Sequence, residues 1–63
     1  MIYKFRQEEQ DCILEIEPVL DEVSIDMVEL TIITVNGNWS VCLYKDDLYK
    51  LIGALHVIHK EMK

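Results

Sequence analysis

The chain has 63 residues, a formal net charge of −6 and a hydrophobic content of 51%. That length allows a single small domain, which buries only ~60% of the surface its unfolded chain exposes. The acidic balance argues against direct nucleic-acid binding, which needs a basic footprint, and a chain this short and apolar is expected to complete its core across an interface, as a homodimer.

In chain order, Met1 to Arg6 alternates, with Met1, Tyr3 and Phe5 on one side and Lys4 and Arg6 on the other. This predicts a short strand. Apolar residues begin at once and no run approaches the ~18 residues of a membrane span, so neither an export signal nor a membrane helix is expected, and the expected location is the cytoplasm. Gln7 to Gln10 reads as a polar turn. Asp11 to Glu17 predicts a second strand with Cys12, Leu14 and Ile16 inward and Glu15 and Glu17 outward. Pro18 lacks a ladder donor, so it should end that strand or occupy an edge. Val19 to Asp26 is compatible with one helical turn or with an irregular connection.

Met27 to Tyr44 carries the clearest signal. Asn36-Gly37 between two apolar runs predicts a two-residue hairpin turn of type I′. That register sets Val35 opposite Asn38, Thr34 opposite Trp39, Ile32 opposite Val41 and Leu30 opposite Leu43. One face then holds Val28, Leu30, Ile32, Thr34, Trp39, Val41 and Leu43. The other holds Met27, Glu29, Thr31, Ile33, Val35, Ser40, Cys42 and Tyr44, too apolar for a simply solvated surface. A helix follows from Asp46 to Met62, about 25 Å long, with Asp46 or Asp47 as its cap. Leu48, Leu51, Ile52, Leu55, Ile58 and Met62 form one stripe at helical spacing. The expected fold is therefore α+β: a four-stranded antiparallel sheet of two hairpins, with the C-terminal helix packed on one face. Gly53 and Val57 lie off the stripe, where a second surface could approach. With Ile33, Val35 and Tyr44 they form the candidate apolar interface for an oligomer or partner.

The chemistry of the chain is sparse. Cys12 and Cys42 read as reduced thiols. His56 and His59 sit at i, i+3 without a third ligand, so no metal site is expected. Ser24 and Ser40 lie outside any nucleophile context, and Gly37 and Gly53 make no phosphate loop. No catalytic residue, cofactor or enzyme activity is expected.

Charge layout is the most distinctive feature. No Lys or Arg occurs between Gln7 and Tyr44, a span that contains Glu8, Glu9, Asp11, Glu15, Glu17, Asp21, Glu22, Asp26 and Glu29. A surface of one sign attracts basic protein partners and speeds encounter with them. This short acidic chain, with a long hairpin around Val35-Asn36-Gly37-Asn38 and a closing helix led by Asp46-Asp47, resembles small phage-encoded inhibitors of bacterial immunity, the anti-CRISPR type among them. The likeness spans roughly residues 25 to 62. It implies a bacterial host cell and carboxylates that stand in for phosphates in a nucleic-acid channel, with Glu15, Glu17, Asp21, Glu22, Asp26 and Glu29 as the contact set. The alternatives are a structural or regulatory subunit docking through its apolar outer face, or an oligomer sequestering a small molecule around Trp39, Tyr44 and His59.

Overall fold

The structure, a computed structural model, describes residues 1–20 and 22–63. Four strands, β1 (Tyr3–Gln7), β2 (Cys12–Leu20), β3 (Ile25–Thr34) and β4 (Gly37–Leu43), precede one helix, α1 (Lys45–Glu61). The strands form an antiparallel meander in the order β1-β2-β3-β4. The expected ββββα arrangement is thus present. Asp21, which the sequence places between β2 and β3, lies outside the described residues.

The first hairpin closes through Glu8 to Asp11, with Gln7 opposite Cys12. Asp11 carries φ of 49° and donates its backbone N–H to the Glu8 carbonyl at 3.2 Å. Aspartate tolerates this left-handed conformation better than most residues. Its carboxylate also accepts a hydrogen bond from the Arg6 guanidinium at 2.8 Å. The Gln7 side-chain carbonyl accepts the Gln10 N–H at 2.7 Å, so the loop supplies its own partners.

Strand β2 runs through Pro18 to Leu20 instead of stopping near Glu17. Pro18 pairs with Val28 on β3, but β1 ends its pairing at Tyr3 opposite Ile16. Pro18 therefore lies where β2 has a neighbour on one side only, an edge position in local terms. A register shift between Val19 and Leu20 then leads into the connection. Glu22 to Ser24 is a bend, so no helical turn forms among the described residues of that stretch.

The central hairpin differs from the expected register by two residues. Thr34 pairs with Gly37, Ile32 with Trp39, Leu30 with Val41 and Val28 with Leu43, so the loop residues are Val35 and Asn36. The Thr34 hydroxyl accepts the Asn36 N–H and donates to the Gly37 carbonyl, both at 3.1 Å. Positive φ falls on Gly37 alone, at 141°, and Asn36 does not share it. A type I′ turn would have needed it at both Asn36 and Gly37. Because the offset is an even number, every side chain keeps its expected face.

The larger departure concerns the helix. Leu43 ends β4 and Lys45 begins α1, leaving Tyr44 as the whole connection, with φ −85° and ψ 175°. Turning a helix back over its preceding strand ordinarily takes two to six residues. With one extended residue, α1 leaves the sheet, and only Leu48 and Leu51 are half-buried. Leu48 lies with Val28 and Leu43 in a small depression that Ile25, Asp26, Met27 and Lys45 complete. From Ile52 onward every residue is exposed, including Leu55 at 56%. The expected cover of the sheet by its own helix is therefore limited to the first turns of α1. Tyr44 takes the capping position without a side-chain cap, and Asp46 and Asp47 lie in the first turn, where their charge suits the helix dipole. The chain measures 39 × 30 × 17 Å overall.

Two turn substitutions follow. Asp11→Ala should destabilise, because alanine keeps the Cβ strain of the left-handed region and loses both the local polar side chain that eases aspartate into it and the Arg6 contact. Asp11→Gly should cost less because glycine is free of that strain. Gly37→Ala should also destabilise, although nothing lies within 4 Å of the added Cβ. Urea unfolding midpoints at a fixed chain concentration check all three, and equal midpoints for Asp11→Ala and Asp11→Gly would remove the strain argument.

Candidate functional site

Residues directly opposed across an antiparallel sheet share a face. Composing the three registers gives one apolar face built of rows that cross the sheet. Tyr3, Ile16, Leu30 and Val41 form one row, and Phe5, Leu14, Ile32 and Trp39 form the next. Pro18, Val28 and Leu43 make a third, nearest the helix. Among the described residues, only Val28 is buried, at 8% exposure. Phe5, Ile32, Trp39 and Val41 are all exposed, Trp39 at 59%. Beside Phe5, Leu14 and Ile32 the face dips into a concavity of about 470 Å³ that Arg6, Gln7, Gln10 and Cys12 border.

The opposite face is mixed. Lys4, Glu15, Thr31 and Ser40 make a polar row across all four strands. Lys4 pairs with Glu15 at 3.2 Å, and the Thr31 and Ser40 hydroxyls share a hydrogen bond at 2.9 Å. Next to it, Glu17 on β2 stands directly opposite Glu29 on β3, with Cys42 completing the row on β4. Both glutamates are half-buried, and neither has a Lys or Arg within 4 Å among the described residues. Like charges in this position repel.

Of the acidic candidates, the fold brings Glu15, Glu17 and Glu29 together on this face. Asp26 precedes Val28 by two residues on β3 and so has the parity of the apolar face, and Glu22 lies in the exposed bend. Of the apolar candidates, Ile33 sits on the mixed face beside Ile13. Val35 occupies the hairpin loop, Tyr44 the strand-to-helix connection, and Gly53 and Val57 the helix. Val35, Tyr44 and Val57 are exposed, and open space surrounds Gly53. These five do not form one patch. The patch that does form joins Ile32, Trp39 and Val41, on the face whose alternation predicts cover by the helix, to Phe5 on β1. Nothing in the strands themselves discloses that their cover is missing; that depends on the length of the connection at Tyr44.

Cys12 lies on the apolar face and Cys42 on the mixed one, with β3 between their strands, and both thiols are free. His56 and His59 project from the exposed part of α1, apart from Trp39 on β4. No helix among the described residues is long and apolar enough to cross a membrane. Comparison with protein families, curated proteins and solved structures returns no match.

The open surroundings of Gly53 lead to a direct expectation. Gly53→Ala should stabilise α1 by up to about 1 kcal/mol, the difference in helix propensity. Thermal unfolding followed by circular dichroism reads this. A loss of stability would instead place another surface against that side of the helix.

Proposed function

We propose that the chain is a small acidic interaction protein, acting as a homodimer, that binds and blocks a basic, nucleic-acid-binding site on a host protein. This is the mode of action expected of a phage-type inhibitor of bacterial defence. The observation that carries the reading is the opposed pair Glu17 and Glu29. Two half-buried carboxylates facing each other without a cation cost stability in the free chain. A partner that brings Lys or Arg to this row relieves the repulsion and gains charge-assisted hydrogen bonds.

The surroundings favour that direction of approach. Glu15 already has Lys4, which leaves Glu17 and Glu29 as the uncompensated members of the mixed face. Thr31 and Ser40 flank the row with hydroxyls that can accept from or donate to an incoming group. The span between Gln7 and Tyr44 contains no basic residue to compete for these acids. Ile13, Ile33 and Met27 on the same face supply apolar contact beside the charge.

The test pairs stability with binding. Glu17→Gln and Glu29→Gln should each raise the stability of the free protein by about 0.2–1 kcal/mol, the scale of a cross-strand pair. The same substitutions should weaken capture of a nucleic-acid-binding protein from bacterial lysate. Capture by the unsubstituted chain should fall steeply with salt, since exposed charges are screened over about 8 Å at physiological ionic strength. Added nucleic acid should compete with it. Capture that ignores salt, nucleic acid and both substitutions would overturn the reading.

A further inference from the structure

We propose that the apolar sheet face is covered by helix α1 of a second copy of this chain, so that two chains exchange helices about a twofold axis. This deepens the dimeric part of the reading above and does not depend on its acidic part.

Three observations carry it. The first is area. The chain exposes 5788 Å², whereas a folded monomer of its 7.4 kDa is expected to expose about 4,200 Å². The excess of about 1,600 Å² per chain corresponds to about 3,200 Å² for a pair, within the range of obligate homodimer interfaces. The second is complementarity. One chain presents two apolar surfaces that do not cover each other: the sheet rows through Phe5, Ile32, Trp39 and Val41, and the helix stripe through Leu55 and Ile58. Pairing sheet with sheet would leave the stripes in water, and pairing helix with helix would leave the sheets in water. Reciprocal exchange covers both.

The third is the connection. Tyr44, as a single extended residue, carries α1 away from its own sheet. A connection too short to let an element fold back is the usual condition for exchange between identical chains. The contact that α1 does make, through Leu48 in the depression with Val28 and Leu43, fixes where the helix leaves and therefore where its stripe is offered. In length the helix, about 25 Å, suffices to span a four-stranded sheet.

Light scattering combined with size exclusion should give twice the chain mass. In a mixture of carbon-13-labelled and unlabelled chains, isotope-filtered spectra should show contacts between copies, from the methyls of Leu55 and Ile58 to the aromatic protons of Phe5 or Trp39. Inserting Gly-Ser-Gly-Ser after Tyr44 lets the helix turn back, and should yield a folded monomer whose helix-to-sheet contacts lie within one chain. A dimer without such contacts between copies, or with them only within each chain, overturns the exchange and leaves the homodimer standing. A folded monomer of the unaltered chain overturns both. An insertion variant that stays dimeric with contacts between copies shows that connection length does not drive the exchange, and overturns that part of the proposal.

Discussion

A single residue, Tyr44, stands between the last strand and the helix, and most of what is unusual here follows from that shortness. An amphipathic helix and an antiparallel sheet with one apolar face are ordinarily partners, each removing the other's greasy surface from water. Here the extended backbone at Tyr44 sends α1 off the end of the sheet, so that only Leu48 and Leu51 gain shelter. Val28, directly across from Leu43, is the one residue buried among those described, because it lies where sheet and helix still meet. Farther along, Phe5, Ile32, Trp39 and Val41 on the sheet and Leu55 and Ile58 on the helix stay exposed.

The two faces of the sheet therefore have different characters. One is a continuous set of apolar rows whose burial would provide the driving force for association. The other combines a polar row, Lys4-Glu15-Thr31-Ser40, with the opposed pair Glu17 and Glu29, which has no Lys or Arg partner among the described residues. Apolar burial is insensitive to direction and scales with area, whereas charge sets register and the choice of partner. In the proposed arrangement the apolar side of the sheet would meet a second copy of the chain, and the side that carries Glu17 and Glu29 would meet a basic surface.

Much of the fold is legible in the sequence. Alternation in β2, β3 and β4 assigns their faces, and a two-residue displacement of the turn leaves those faces unchanged because the offset is even. The turn itself was misplaced because Asn36-Gly37 carries a strong preference that the neighbouring Thr34 hydroxyl overrides. Pro18 is compatible with a strand end or an edge, and the structure has the second, because β2 continues past the end of β1. Helical spacing located α1 to within a residue at either end. It could not reveal where the stripe points, since that direction is decided by two dihedral angles at Tyr44. The acidic candidates separated for a similar reason: a net charge records which residues are present, and only strand parity brings Glu17 and Glu29 together while sending Asp26 the other way.

The meander also bears on how the chain reaches its folded state. Every strand pairs only with its neighbour in sequence, so the loops to be closed are short and their entropic cost is small. If two copies exchange helices as proposed, the Asp11 and Thr34 hairpins form early, within a solitary chain, whereas shelter for Phe5 and Trp39 waits for a collision. Such a division implies a fast unimolecular phase followed by a slower one whose rate rises with protein concentration, and an intermediate whose stickiness is greatest just before it finds its match.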